Sequence, residues 1–446
     1  MLFTDLYELS MARVYHGEDM NREAVFELFF RKLPESRNYV LACGQNEALQ
    51  ALLDFQVTPQ EIEWLAGLER FPDGFLRFLE TLRFTGDVDV IPEGTAVFPC
   101  EPVIRVRAPL IQAQLVETLL LNTIHGQSVL ASKAARVLEA ADGRPVMDFG
   151  ARKALGREGA MNLARTSWIA GASGTSNMEA GQALGIPVLG TMAHSFIQAY
   201  NDEMRAFRDF SRYWPETTLL VDTWDTLRGV DRAIELLLES DGDPAPFRAI
   251  RLDSGDLLDL SKKARQKLND AGLVDVRIVA SSSLDEYAIR KLLVNGAPID
   301  GFGVGTEWAA VSDAPTIDFA YKLAEYDGQP SIKASSSKST WPGPKQVWRQ
   351  WRNGIMTGDT ITALDEAGPD GGEPLLESAI RNGEAVSGAV ADLHSVRDRA
   401  TASIQGLPET IRQLQPAGLA YPVTISDRLE REKQRLMQQY QGSTGT

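Results

Sequence analysis

Cysteine and long apolar runs are scarce in this sequence, and each scarcity excludes a class of protein. The only cysteines, Cys43 and Cys100, are too few for a disulfide framework and lack the repeated close spacing of a zinc site, so we expect buried, reduced thiols. No apolar run approaches the roughly 18 residues of a membrane span, and the N-terminus has no basic start followed by an apolar core. We therefore expect a cytoplasmic protein with no membrane partner.

Positive charge is also in deficit. The chain has 45 Lys+Arg against 61 Asp+Glu, a formal net charge of −16. Nucleic-acid binding requires a basic surface, so we expect no nucleic-acid partner, although local basic pockets for small phosphates remain possible. The composition is that of a soluble globular protein, and 446 residues suggest more than one domain.

The middle of the chain repeats a short apolar run, a polar or glycine-containing segment and a stretch with helical periodicity. This rhythm predicts βα units, and runs that are apolar throughout are typical of parallel strands covered on both faces. One predicted outer helix is Leu284–Leu293. The predicted strands are Pro145–Phe149, Ser167–Ala170, Ile186–Gly190, Thr218–Asp222, Phe247–Asp253, Val276–Ser281 and Ile299–Gly305. Their number predicts an α/β barrel.

The two ends of the chain have a different pattern. Helical periodicity appears at Asp5–Tyr15, Asn46–Leu53 and Pro59–Leu65, and an extended pattern follows in FTGDVDVIPEGTAVFP. We predict an N-terminal α+β domain over residues 1–108 and a barrel over 109–330. We expect residues 331–446, with a charged helix near Ser426–Gln439, to pack back on the N-terminal domain.

Polar clusters follow the predicted strands. DFGARK, GTMAHSF, RLDSGD, SSSLDE and GVGTEW each begin where an apolar run ends. Because the carboxyl ends of parallel strands meet at one face of a barrel, we expect these clusters to form one site there.

Two of these clusters carry groups that bind anions. In GVGT, the glycines allow backbone N–H groups to approach a phosphate and Thr306 adds a hydroxyl; the alternative is an ordinary glycine-rich turn. In RLDSGD, Arg251 can clamp a planar carboxylate. Asp253 or Asp256 could hold ribose hydroxyls, or Mg²⁺ through water, the alternative being an ion pair and a helix N-cap.

Two further clusters could contribute to catalysis. His194 shares a strand-end loop with Thr191 and Ser195, which favours a nucleophile or acid–base group over a structural histidine. In DFGARK, Arg152 and Lys153 could neutralise a pyrophosphate, and solvation at the surface is the competing interpretation.

Seven segments, taken in order, resemble the nicotinate phosphoribosyltransferase family over residues 4 to about 350. They are TDLYELSM, FELFFRKLP, DFGARK, GTSNMEAGQALGIPVLGTMAHSF, LLVDTWDTLRGV, RLDSGDL and GFGVGTEW. The resemblance implies a type II phosphoribosyltransferase fold, in which an irregular parallel α/β barrel accompanies a smaller α+β domain built from both chain ends. It also implies a homodimer with the active site at the subunit interface.

The implied reaction is the ATP-coupled transfer of phosphoribosyl from 5-phosphoribosyl-1-pyrophosphate to nicotinate, which yields nicotinate mononucleotide in NAD biosynthesis. Mg²⁺ is the implied cofactor and ATP a co-substrate. His194 matches the histidine phosphorylated by ATP, and Asp253 is a second catalytic candidate. Nicotinate contacts are assigned to Phe149, Thr191, Arg251 and, from the neighbouring subunit, Tyr7. Phosphoribosyl pyrophosphate contacts are assigned to Arg152, Ser254, Gly255, Ser281, Gly303, Gly305 and Thr306.

Several differences from the family keep alternatives open. The nicotinamide-specific sister enzyme has an acidic residue where this chain has Ser176, and its absence favours the acid substrate. Ser281–Ser283 replaces a triplet with a Gly or Asn suited to positive φ, Lys153 replaces an arginine, and IKASSSKSTWPG resembles the family less closely. A non-catalytic phosphosugar or nucleotide sensor is therefore an alternative. A metal-dependent lyase or hydrolase lacks a histidine–carboxylate cluster with suitable spacing.

Overall fold

The computed structural model describes residues 2–240, 245–334 and 340–442; residues 335–339 of IKASSSKSTWPG fall outside this range. The chain forms two compact units, one of Met1–Ser132 with Ala314–Thr446 and the other of Lys133–Asp313. Their boundaries differ from the expected 108/109 and 330/331 because the segments next to these positions belong to the first unit's own sheet and helices.

The helices and the strands are numbered separately along the chain. The helices are α1 Leu6–Gly17, α2 Gln45–Leu53, α3 Pro59–Gly67, α4 Asp73–Thr81, α5 Leu110–Leu115, α6 Glu117–Ala140, α7 Gly156–Ala170, α8 Met178–Leu184, α9 His194–Tyr200, α10 Glu203–Tyr213, α11 Thr226–Leu238, α12 Leu257–Asp270, α13 Glu286–Val294, α14 Thr306–Ala310, α15 Leu393–Gly406, α16 Glu409–Arg412 and α17 Asp427–Gly442, with a 3₁₀ helix at Ala151–Lys153. The strands are β1 Glu23–Phe30, β2 Val40–Leu41, β3 Asp87–Val90, β4 Ala96–Val97, β5 Ile104–Pro109, β6 Val146–Asp148, β7 Gly174–Thr175, β8 Thr217–Leu220, β9 Phe247–Leu252, β10 Arg277–Ser281, β11 Gly301–Val304, β12 Phe319–Tyr326, β13 Gln329–Pro330, β14 Lys345–Arg352, β15 Ile355–Ala363, β16 Glu373–Pro374, β17 Glu377–Arg381, β18 Glu384–Ala385 and β19 Val423–Ile425.

The second unit contains the predicted parallel sheet. Its strand order is β7-β6-β11-β10-β9-β8, and every neighbouring pair is parallel. All four residues of β11 are buried, as expected for a central strand covered on both faces. The predicted helix Leu284–Leu293 is observed as α13, which begins after Asp285 because that side chain accepts a hydrogen bond from the Ala288 N–H at 2.7 Å.

An extended segment joins the two edges of this sheet. Within the predicted strand Ile186–Gly190, the Leu189 N–H donates to the Thr175 carbonyl at 2.9 Å, and the Thr175 N–H donates to the Pro187 carbonyl at 3.0 Å. Just beyond it, the Thr191 hydroxyl donates to the Thr218 carbonyl on the opposite edge strand, β8. The segment therefore contacts both β7 and β8. The six strands form a half-barrel, and this irregularly paired segment spans the gap between its two edge strands.

The prediction of a strand at Ser167–Ala170 is wrong. These residues form the last turn of α7, and the edge strand is β7, a few residues later. The buried residues of α7 include Ala160, Leu163, Ala164 and Ser167, which recur at the three- and four-residue spacing of one helical face. The short apolar run SWIA was therefore the end of that face.

The first unit takes its main sheet from both chain ends. The strand order is β13-β12-β1-β5-β3-β17-β18, and β12 pairs antiparallel with β1 from Ala24 opposite Tyr326 to Phe30 opposite Phe319. This pairing places β12 in the first unit, although its residues lie within the span 109–330 predicted for the barrel. A second sheet has the order β16-β14-β15-β19, and α17 confirms the predicted charged helix.

The two cysteines differ in their exposure. Cys43 is buried, but Cys100 is only partly buried because it lies in a turn after β4, with φ of 72°. Within the described ranges, the helices include none that is long and apolar enough to cross a membrane.

His125 provides a test of the first unit's stability. Its Nε2 accepts a hydrogen bond from the Ile317 N–H at 3.1 Å, and burial lowers the pKa of the imidazole. The unfolded chain therefore takes up this proton more readily than the folded chain does. We expect the free energy of unfolding to fall as the pH drops below the unfolded histidine pKa of about 6.5.

Chemical denaturation at a series of pH values, comparing the parent chain with His125→Gln, measures this contribution. The variant should lose part of the decline below that pH, because glutamine can accept the same bond without titrating. An identical decline in both proteins would contradict the assignment.

Candidate active site

A cavity of about 330 Å³ lies inside the half-barrel. Three of the predicted nicotinate-contact residues line it: Phe149 follows β6, Thr191 lies on the closing segment and Arg251 is the penultimate residue of β9. The parallel sheet brings these residues together although they are far apart in sequence. The cavity is therefore the candidate site for a small ring.

Arg251 is held in this cavity with a free hydrogen-bonding atom. Its Nη2 donates to the Met192 carbonyl at 3.1 Å, while its buried Nε has no partner among the described residues. Burial lowers the pKa of the guanidinium, the carboxylates of Asp253 and Asp222 oppose that shift, and Arg152 adds to it. A partly desolvated guanidinium with an unused donor suits a carboxylate ligand.

His194 and Asp253 meet at the carboxyl ends of the strands. His194 is the first residue of α9, and its Nε2 lies 3.4 Å from Asp253 Oδ2. Its Nδ1 lies 3.1 Å from the Thr223 hydroxyl oxygen. Both side chains are about one-third exposed, 37% for His194 and 31% for Asp253, so a ligand from solvent can reach them.

Asp222 also belongs to this site but was absent from the predicted residues. Its Oδ2 accepts from the Asp253 N–H at 2.8 Å and from the Ser254 hydroxyl at 2.6 Å. Its buried Oδ1 has no partner in the part of the chain that the structure describes. Both Asp222 and Thr223 lie at the end of a predicted strand, so the strand-end rule could have identified them.

Two of the candidate side chains in and near RLDSGD make hydrogen bonds within the protein. The Asp256 side chain accepts from the N–H groups of Leu258 and Asp259 at 3.0 and 3.2 Å, which confirms the helix N-cap interpretation for that residue. The Ser281 hydroxyl donates to Asp253 Oδ1, and its expected contact with phosphoribosyl pyrophosphate stays a prediction. Ser281 thus orients the carboxylate that faces His194.

The serine triplet forms a turn with left-handed backbone conformations. Ser282 has φ of 82° and Ser283 has φ of 49°, where a Cβ atom is unfavourable. Gly255, in the neighbouring loop, has φ of 76° without that penalty. The turn geometry expected of a Gly or Asn is therefore kept by serines.

The glycines of GVGT have a packing role beside Phe149. A Cβ on Gly303 would lie 2.5 Å from the Phe149 ring, and one on Gly305 would lie 3.1 Å from the Phe149 carbonyl oxygen. These positions allow the ring to lie against β11. Thr306 is exposed at the start of the short helix α14, and phosphate binding at this loop stays a prediction.

The remaining predicted residues lie at the surface. Arg152 and Lys153 are exposed on the 3₁₀ helix. Tyr7 lies on α1 of the first unit and is 47% exposed; partial burial and the carboxylates of Glu117 and Glu8 raise the pKa of its hydroxyl. No group of three or more His, Cys, Asp or Glu side chains among the described residues is arranged to hold a metal ion.

The serine turn generates a stability prediction. Ser282→Gly should raise the free energy of unfolding by about 0.5–1 kcal/mol, because removing the Cβ relieves left-handed strain that exceeds the entropy gained by the unfolded chain. Denaturant titration provides the measurement. Ser10→Gly, an exposed position within α1, is the matched control and should be destabilising. Destabilisation of the Ser282→Gly variant would contradict this account of the turn.

Comparisons with known proteins cover almost the whole chain. Residues 2–125 match the model of the nicotinate phosphoribosyltransferase N-terminal domain, and residues 145–338 match the model of the nicotinate phosphoribosyltransferase family. A nicotinate phosphoribosyltransferase of Mycobacterium tuberculosis is 52% identical over 435 residues, covering 98% of this chain and 93% of that protein. One from Bacillus subtilis is 42% identical, covering 82% of this chain and 76% of its own length.

A solved structure agrees with these sequence matches. The crystal structure of human nicotinic acid phosphoribosyltransferase superposes with a TM-score of 0.86 at 25% identity, covering 97% of this chain and 99% of that one. The match confirms the expected fold class, a mixed α/β architecture with a parallel barrel-like sheet. With 52% identity across nearly its full length and both family models matched, this chain belongs to the nicotinate phosphoribosyltransferase family.

Proposed function

We propose that this chain transfers phosphoribosyl from 5-phosphoribosyl-1-pyrophosphate to nicotinate, forms nicotinate mononucleotide for NAD biosynthesis, and couples the transfer to ATP. The observation that carries the proposal is the cavity lined by Phe149, Thr191 and Arg251, beside the strand-end pair His194–Asp253, in a chain of this family. The cavity suits a small anionic ring, and the strand-end pair suits phosphoryl chemistry.

Arg251 is the group that would recognise nicotinate. A buried guanidinium with an unpaired Nε can bind a planar carboxylate, and this ion pair gains strength where water is excluded. The ring would then pack against Phe149. Position 176 holds an exposed serine and no carboxylate, so no negative charge there would repel the acid. This arrangement favours nicotinate over nicotinamide.

His194 is the group that would couple ATP to the reaction. Asp253 Oδ2 is placed to accept from Nε2–H, which leaves the lone pair on Nδ1, where the Thr223 hydroxyl can donate. Nδ1 would attack the γ-phosphorus of ATP, forming an N–P bond as the bond to the bridging oxygen breaks and ADP leaves. Asp253 would stabilise the resulting positive charge on the ring, and water would later hydrolyse the phosphohistidine.

The transfer step depends on position and charge more than on a dedicated acid or base. Pyrophosphate leaves C1′ of the ribose, positive charge develops on the sugar, and the pyridine nitrogen attacks that carbon. A ring held by Arg251 and a phosphoribosyl group held at the strand-end loops would be aligned for this attack. The contacts assigned to Arg152, Ser254, Gly255, Ser281, Gly303, Gly305 and Thr306 belong to this part of the proposal.

The donor atoms of Asp222 and Asp253 fit Mg²⁺. Asp222 Oδ1 is buried and lacks a partner among the described residues, and Asp253 lies beside it in the next strand-end loop. Mg²⁺ usually takes one or two carboxylates and completes its shell with water and substrate phosphates, so a larger protein cluster is not needed. When bound, the ion would neutralise charge on the pyrophosphate.

We also propose a cytoplasmic homodimer with its active site at the subunit interface, where Tyr7 of one copy would contact the ring bound by the other. The exposed apolar side chains of Phe3, Leu6, Tyr7 and Val14, at or near α1, support an interface there. A phosphosugar sensor is the competing function, and Lys153 in place of an arginine favours it.

One assay separates these functions. The purified protein is supplied with nicotinate, 5-phosphoribosyl-1-pyrophosphate, Mg²⁺ and ATP, with nicotinamide or quinolinate replacing nicotinate in parallel reactions. We expect nicotinate mononucleotide and ADP from the first mixture only. Turnover of nicotinamide in place of nicotinate would indicate a nicotinamide-specific phosphoribosyltransferase. Thermal stabilisation by the ligands without turnover would indicate a sensor.

The proposed role of His194 predicts that its loss affects the stimulation by ATP more than the phosphoribosyl transfer itself. His194→Ala should lose the stimulation by ATP but retain residual transferase activity, because ring and phosphoribosyl contacts lie on other residues. Initial rates with and without ATP measure this effect. His394→Ala, at an exposed histidine on α15, is the control and should behave like the parent chain. Full ATP stimulation in His194→Ala would refute the assigned role.

The role of Arg251 predicts a substrate-specific loss. Arg251→Ala should raise the KM for nicotinate by an amount worth about 2–5 kcal/mol, the range for losing one partner of a desolvated charge pair. The KM for 5-phosphoribosyl-1-pyrophosphate should change much less. Lys263→Ala, an exposed cation on α12 outside the cavity, controls for general effects of removing a positive charge. An unchanged nicotinate KM in Arg251→Ala would exclude it as the carboxylate ligand.

A further inference from the structure

The cavity in the half-barrel extends to both ends of the strands. Phe149 and Arg251 line it near the carboxyl ends, whereas Pro145 precedes β6, Glu216 precedes β8 and Arg277 begins β10. These last three residues are exposed to solvent. The cavity therefore has a mouth at the amino ends of the strands, opposite to the loops that carry His194 and Asp253. We call this opening the amino-end mouth.

Arg277 is aligned with Arg251 across the sheet. In the parallel pairing of β9 and β10, Arg277 is opposite Ala249, and Arg251 is opposite Val279; all four residues line the cavity. Arg277 is thus two residues nearer the amino ends than Arg251, a step of about 7 Å along a strand. Arg277 and Arg251 therefore line the same cavity at different depths, on neighbouring strands.

Arg277 is the uncompensated charge at this mouth. The acid Glu216 pairs with Arg248 at 2.6 Å. The acid Asp300 pairs with Arg265 at 3.2 Å and accepts from the Ile278 N–H at 2.7 Å. The guanidinium of Arg277 makes no ion pair or hydrogen bond with any residue that the structure describes, and its backbone belongs to the β9–β10 pairing. In a chain of net charge −16, an unpaired arginine at a cavity mouth attracts a small anion locally.

We propose that the amino-end mouth admits the aromatic acid substrate: Arg277 captures its carboxylate and Arg251 receives it deeper in the cavity. This inference rests on the proposed function. 5-Phosphoribosyl-1-pyrophosphate and ATP act at the carboxyl ends, where a bound phosphoribosyl group would cover the ring site. A separate mouth lets the small planar acid reach Arg251 while that side is occupied. The two substrates thereby have separate routes.

A charge reversal at the mouth tests the capture step. Arg277→Glu should lower kcat/KM for nicotinate at least tenfold at low ionic strength, and the deficit should shrink as salt is added, because screening weakens steering. The kcat and the KM for 5-phosphoribosyl-1-pyrophosphate should stay unchanged. Lys291→Glu, an exposed residue on α13 outside the cavity, is the matched control and should leave both substrates unaffected.

A reversible plug tests the route independently of charge. Thr217 lines the mouth, and Thr217→Cys can be modified with a bulky thiosulfonate and restored by a reducing thiol. Because Cys100 is partly exposed, the parent chain receives the same treatment. Modification should lower kcat/KM for nicotinate at least tenfold in the variant alone, with recovery on reduction.

Equal kcat/KM for nicotinate before and after modification of Thr217→Cys would overturn the proposal. So would an Arg277→Glu variant whose kcat/KM falls equally for nicotinate and for 5-phosphoribosyl-1-pyrophosphate. Failure of the proposed function is distinguishable, because the unmodified parent chain would then not turn over nicotinate at all. In that event the association rate of nicotinate, followed by tryptophan fluorescence, replaces turnover: slowing by the plug supports the mouth, and no slowing refutes it.

Discussion

The carboxylate of Asp253 joins the strand-end loops that the proposed chemistry requires. Ser281 donates to one of its oxygens, His194 faces the other at 3.4 Å, and its backbone N–H is held by Asp222 at 2.8 Å. These groups follow four different segments of the barrel, and they meet because parallel strands present their carboxyl ends at one face. Without this carboxylate, His194 would lose the acceptor that favours one tautomer and the negative charge that would stabilise a positively charged ring.

Arg251 imposes the second constraint, because a buried cation is costly unless something pairs with it. Its burial lowers its pKa, and two nearby carboxylates offset that effect only in part. A carboxylate ligand would complete the pairing, so the same desolvation that is costly for Arg251 would strengthen binding. The strain of Ser282 and Ser283 fits this picture of a site that is stabilised by ligands and by the surrounding fold.

Much of the fold was predictable, because parallel strands leave continuous apolar runs and polar residues where they end. The strands around Val146–Asp148, Phe247–Leu252 and Arg277–Ser281 followed from that rule, as did His194, Arg251 and Asp253. The run Ser167–Ala170 could not be assigned from four residues, because a buried helical face and a buried strand are equally apolar. The Asp253–Ser281 bond and the placement of Phe319–Tyr326 depend on tertiary pairing, which a single sequence does not encode locally.

Transfer of phosphate from ATP to the protein tests the central claim most directly. The chain is incubated with ATP labelled at the γ-phosphate, digested under alkaline conditions that preserve phosphohistidine, and the labelled peptide is sequenced. The account predicts an acid-labile label on His194, attached at Nδ1 and released when nicotinate and 5-phosphoribosyl-1-pyrophosphate are added. No label, or a label on another residue, would contradict it.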